Sequence, residues 1–340
     1  MRKLLVGLLK VGLSLAIVVY LIVQAKQDRA FAELAERPKN WPLLVLAAAI
    51  CGLAVVLTHI RWCYLVRALD LPFRLSEAFR LGFLGYLFNL APTGIVGGDV
   101  LKGVMLGRHH RGSRAKVLAS VLVDRLLGLY VLFVMASVAI LTTRFWRLDP
   151  QIHSICMATL LLTVVGAMGL MLLFVPGFTG GWLTHQLRRA GRIGHYSEQA
   201  LLAVRIYKHR PRTLLLATLM SFAVQSLFVF GAYFIAMGLF EHVPSLDAHF
   251  VVVPLSSSMG VVPLPFGPFE LVLEFLYVHA GMPPHQGLIV ALGYRLVTVL
   301  IAVVGVFYFL AGRREVVESI HAAEDPPQES QTDLSLAEKN

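Results

Sequence analysis

Three stretches of this 340-residue chain, 155–175, 214–240 and 250–269, contain no Asp, Glu, Lys or Arg at all. An α-helix needs about 20 apolar residues to cross the ~30 Å hydrocarbon layer of a bilayer. Inside that layer every backbone N–H and C=O must find its partner within the protein, which favours helices. The uncharged runs therefore read as membrane helices. Composition agrees, with 57% hydrophobic and 15% charged residues, whereas a soluble domain carries about 25% charged residues. A soluble enzyme, a nucleic-acid-binding module and a secreted disulfide scaffold are excluded on these grounds. The net charge of +10 clusters at the ends of apolar runs, as the positive-inside bias requires, and forms no basic stripe on a soluble face. Cys51, Cys63 and Cys156 lie in or beside the expected spans without ligand spacing and read as buried thiols.

The expected apolar segments are 4–23, 43–60, 76–90, 98–107, 116–141, 152–175, 212–240, 246–262, 265–280 and 286–310. The first reads as an uncleaved helix, because 20–26 makes a poor signal-peptidase site. Two basic loops decide the orientation. One carries Arg108, Arg111, Arg114 and Lys116; the other runs from Arg188 to Arg212. Loops 241–247 and 281–286 have no Lys or Arg. Both basic loops and both termini are therefore expected in the cytoplasm. Loop 24–40 falls outside, its Lys26, Arg29, Arg37 and Lys39 offset by Asp28, Glu33 and Glu36. Residues 178–211 read as an amphipathic cytoplasmic connector, and 313–340 as a disordered acidic tail.

An internal echo is the most informative pattern. Asn89, Pro92, Gly97, Gly98 and Asp99 break apolar sequence in the first half, and Pro263, Pro265, Gly267 and Glu270 break it in the second. In both places a proline precedes an acid by seven residues. An arginine then follows in the next apolar span: Arg125, 26 residues after Asp99, and Arg295, 25 after Glu270. Proline and glycine interrupt helices, and an unwound backbone at membrane depth must be buried in protein or line a wet cavity. The flanking segments are short for full crossings. They are expected to form re-entrant helical hairpins over 76–107 and 246–280, entering from opposite faces. The expected fold is an all-α polytopic membrane protein of two inverted-topology repeats, about 1–145 and 150–312. It has about six full spans plus the two hairpins, or eight or more helices.

Charges inside the membrane require partners. Asn89, Asp99, Lys102, Asp124, Arg125, Glu270 and Arg295 are the candidate substrate-binding residues, with Glu274 a further intramembrane acid. Asp99 or Asp124 is expected to pair with one arginine and Glu270 with the other, across the repeat interface. Arginine and lysine suit a phosphate. Lys10 and Arg61, near span ends, are expected to snorkel, and His59 reads as a core or interfacial residue. No catalytic fingerprint, cofactor motif or metal-ligand spacing is present.

The residues around Asn89, Pro92, Gly97–Lys102, Ser120–Arg125, Pro263–Glu270 and Tyr294–Arg295 together resemble the lysylphosphatidylglycerol synthase transmembrane-region family, also described as flippase-like. The resemblance covers about residues 5–312. Lys102, where an arginine is expected, and Phe266–Phe269, in place of a more glycine-rich turn, depart from the family pattern. The resemblance implies a transporter of a phosphate-bearing phospholipid or isoprenoid-linked lipid across the inner membrane, without the aminoacyl transferase chemistry of larger members. The rival reading is a membrane scaffold or accessory subunit for a lipid- or glycan-modifying enzyme; a membrane-embedded transferase is a third. Membrane lipids are the expected partners, nucleic acid is not, and oligomeric state is left open.

Overall fold

The computed structural model describes residues 30–90, 97–109, 113–147, 149–174, 210–262, 264 and 266–324, with Tyr207 and isolated positions between 19 and 26. Among these residues every regular element is a helix. A short α1 (Ala30–Glu36) leads to α2 (Trp41–Arg67). The start of α2 is set locally: Asn40 accepts the Leu43 N–H at 3.3 Å and Pro42 occupies the first turn. Four more helices share its length and apolarity: α5 (Arg114–Thr143), α6 (Pro150–Phe174), α7 (Pro211–Leu239) and α10 (Gln286–Ala311). All five are long and apolar enough to cross a membrane. The expected span 4–23 lies almost wholly outside the described residues, as does connector 178–211 apart from Tyr207, Arg210 and Pro211.

Between the long helices stand two pairs of short ones. The first pair is α3 (Leu75–Leu90, 16 residues) and α4 (Gly98–His109, 12 residues). The second is α8 (Leu246–Ser258, 13 residues) and α9 (Pro268–His279, 12 residues). At 1.5 Å per residue these reach roughly 18–24 Å, short of the ~30 Å hydrocarbon thickness. The members of each pair lie against one another as helical hairpins. In the first, the arms touch backbone to backbone: a Cβ on Gly98 would stand 1.7 Å from the carbonyl oxygen of Gly85. Only glycine allows that approach.

Helices α2 and α7 are antiparallel neighbours, since Leu44 meets Gly238, Cys51 meets Gly231, Arg61 meets Ser221 and Asp70 meets Arg210. Two apolar cores lie at opposite ends of this pair. One joins the C-terminal part of α2 to α3, α4 and the start of α5, around Trp62, Leu65, Leu84 and Leu101. The other joins the N-terminal part of α2 to α8, α9, α10 and the end of α5, around Cys51, Ile140, Val252 and Leu273. Each hairpin thus belongs to one end of the bundle.

A final helix, α11 (Arg313–Glu324), corrects the expectation of disorder from residue 313. Val316, Ser319 and Ile320 recur at helical spacing and pack toward the first hairpin, with Val316 and Ser319 buried. The acidic residues that suggested disorder lie beside this apolar stripe: Glu315 binds Arg80, and Glu318 lies 3.3 Å from Arg108. Residues 325–340 are outside the described part.

Candidate functional site

Asp99 sits in the first turn of α4, where the helix dipole favours a carboxylate. The opening of this helix is closed by the other arm: Asn89, near the end of α3, accepts the Gly98 N–H at 2.8 Å. One carboxylate oxygen of Asp99 binds Arg125 of α5, and the other lies 3.3 Å from Lys102 Nζ, one turn along α4. The Lys102 stem runs over Gly85 and its ammonium stands 5.5 Å from the ring centre of Trp62. Two cations therefore share one carboxylate. Arg125 lies 11 residues into α5, roughly 16 Å from one end and about 27 Å from the other. Its side chain is 54% exposed, against 28% for Asp99. Leu118, two turns earlier on the same stripe, is 48% exposed. The guanidinium is thus accessible, on the same helix stripe as an exposed leucine.

The second hairpin repeats the acid–arginine pair in a closed form. Gly267, at φ +106°, turns the chain into α9. Glu270 reaches back to accept the Gly267 N–H at 2.7 Å and accepts Arg295 Nε–H of α10 at 2.5 Å. Glu270 is 1% exposed. The guanidinium of Arg295 lies over Phe266 and Phe269, 5.4 and 5.1 Å from their centres. The aromatic turn Phe266–Phe269 is thus an arginine platform. Pro92, Pro263 and Pro265 lie outside the described residues; Gly97 and Gly98 lead into α4.

Both pairs form within their own half of the chain, not across the two. The reason is local: each acid begins a short helix that packs on the long helix following it. A buried ion pair across halves is made by Arg61, which lies near the expected end of a span, where snorkelling is expected. Helix α2 instead continues to Arg67, and α5 and α7 cover Arg61. Its Nε donates to Asp124 Oδ1 at 2.8 Å and Nη1 to Ser221 Oγ at 2.7 Å. Asp124, a predicted site residue, is therefore held by Arg61 and not by Arg125 or Arg295. Gln225 adds a bond from α7 to the Gly128 carbonyl at 3.4 Å. These residues form a polar band at the level where the two apolar cores part. His59, also in this region, is buried with its ring 4.8 Å from Phe83. Glu274 acts elsewhere, accepting the N–H groups of His285 and Leu288 and so capping α10.

Sequence reasoning missed Arg61 because position along a span says nothing of what covers it. Ser221, four residues from Gln225 on one face of α7, was the available signal. The half-exposed Arg125 can meet an anionic oxygen, with buried Lys102 adding its charge from behind Asp99; no group of three or more His, Cys, Asp or Glu suited to a metal occurs among the described residues.

Comparison with known proteins agrees with the motifs. A family model described as "Lysylphosphatidylglycerol synthase TM region" matches residues 7–305. The chain is also 22% identical over 261 residues to a UPF0104 membrane protein of Methanothermobacter thermautotrophicus, spanning 72% of this chain and 77% of that protein. With apolar helices, paired broken hairpins and a match over most of its length, this chain is an integral membrane protein belonging to the lysylphosphatidylglycerol synthase TM-region family.

Proposed function

We propose that the protein translocates a phosphate-bearing lipid across the inner membrane, with the phosphate bound at Arg125 and Lys102 beside Asp99. The observation that carries this reading is the half-exposed guanidinium of Arg125 at mid-helix depth, next to an exposed leucine face. A charge there costs at least ~2.5–3.5 kcal/mol on insertion scales unless something answers it. Asp99 offsets one of the two cations it touches, and a lipid phosphate would balance the other while the acyl or isoprenoid chains remain on the Leu118 stripe. Arg295, whose partner Glu270 is buried, holds the second hairpin in register and is the counterpart position in the other half.

Two inverted repeats, residues 41–143 and 211–311, would supply the movement. Their support is the contact pattern. Exchange α2 with α7, α3 with α8, α4 with α9 and α5 with α10, and the principal contacts among these eight helices map onto one another: α2 on α7 is its own image, α3 on α10 becomes α8 on α5, and α4 on α5 becomes α9 on α10. Antiparallel α2 and α7 fit an axis in the membrane plane. Both termini then lie in the cytoplasm, and rocking of one repeat on the other exposes the site to each leaflet in turn.

Purified protein in liposomes carrying acyl-labelled phosphatidylglycerol tests this reading. A membrane-impermeant quencher should reach the inner-leaflet label at least tenfold faster than in protein-free vesicles, and Arg125→Gln should remove that increase without changing the melting temperature. Absence of movement with co-purification of a lipid-modifying enzyme would favour the scaffold; a change in lipid mass would favour a transferase.

A further inference from the structure

We infer that the site selects lipids whose headgroup carries a net negative charge and no amine, and discriminates against zwitterionic and cationic ones. This rests on the proposed lipid site and names its substrate class. Recognition of an amine inside a membrane requires a carboxylate with capacity to spare. The apolar segments contain four acids away from the points where the hairpins begin: Asp99, Asp124, Glu270 and Glu274. Asp124 is buried against Arg61, and Glu270 is buried against Arg295 and the Gly267 N–H. Glu274 is committed to two backbone N–H groups at the start of α10. Asp99 already serves both Arg125 and Lys102.

The cations are distributed differently. Arg61 and Arg295 each face a carboxylate of their own, whereas Lys102 and Arg125 divide the single charge of Asp99. The cluster therefore has one positive charge in excess, with Arg125 half exposed and Lys102 buried behind the shared Asp99. A phosphodiester or phosphomonoester neutralises the excess. An ammonium on the same headgroup would meet two cations and no unengaged acid, and that repulsion is the discriminating element.

Native mass spectrometry of the full-length protein in detergent, offered equimolar phosphatidylglycerol, a polyprenyl phosphate and phosphatidylethanolamine, tests the inference without requiring transport. Adducts of at least one anionic lipid should exceed those of phosphatidylethanolamine tenfold or more, and which anionic lipid binds tells the phospholipid from the isoprenoid source. Lys102→Gln, which removes the excess charge, should bring the ratio toward one; Lys102→Arg should keep it. Phosphatidylethanolamine adducts equal to or above the anionic ones, or a Lys102→Gln ratio unchanged from wild type, would overturn the inference. Liposomes separate the two claims. Selective binding with no movement sinks lipid translocation and leaves the selectivity standing. Equal rates for phosphatidylglycerol and phosphatidylethanolamine overturn the selectivity alone.

Discussion

Arg61 and Arg125 are both intramembrane arginines paired with aspartates, yet their surroundings assign them different consequences. Arg61 is enclosed by three helices and bound to Asp124 and Ser221. Removing one partner of a buried ion pair leaves the other charge uncompensated, which costs about 3–5 kcal/mol. Arg61→Gln is thus expected to lower the melting temperature in detergent markedly, whereas Arg125→Gln, half exposed, should melt close to wild type; equal melting of the two would contradict the assignment. Glycines divide in the same way. Gly98→Ala forces its new methyl into the Gly85 carbonyl and should prevent folding, read as loss of the monodisperse peak on size exclusion. Gly52, inside α2 with nothing within 4 Å of its missing Cβ, should accept alanine and gain up to about 1 kcal/mol from helix propensity. Residue spacing made Asp99, Arg125, Glu270 and Arg295 legible, because unlike charges in apolar sequence need neighbours. The Arg61–Asp124 pair, 63 residues apart, depends on which long helices touch, and no local pattern records that.

At the scale of elements, the first hairpin is held both by its own arms and by α11. Its arms meet at Gly85 and Gly98, Asn89 closes the start of α4, and α11 lies on α4 while Glu315 reaches Arg80 of α3. The ion pairs of α11 are partly exposed and worth about 0–1 kcal/mol each; its anchorage comes from the buried face. Val316→Asp should therefore raise amide hydrogen exchange across α4 and α11 far more than Glu318→Gln does. Equal effects would mean that charge and not burial docks the helix. Composition concealed this element. A buried stripe as narrow as Val316, Ser319 and Ile320 vanishes in an acidic average, whereas the hairpin breaks announced themselves through proline and glycine in uncharged sequence.

Across the whole molecule, the apolar cores occupy opposite ends and the polar band of Arg61, Asp124, Ser221 and Gln225 lies between them. This division is what allows one hairpin to be associated with each face of the membrane, and the transport reading depends on it. Its sidedness is read most directly by cysteine labelling. Cys51, Cys63 and Cys156 would be replaced by alanine, and a single cysteine introduced by Ser76→Cys at the mouth of the first hairpin or Ser245→Cys at the mouth of the second; both serines are exposed. In sealed inverted and right-side-out vesicles, an impermeant maleimide should label position 76 only from the cytoplasmic face and position 245 only from the opposite face. Labelling of both positions from the same face would contradict the inverted architecture and, with it, the alternating exposure of Arg125.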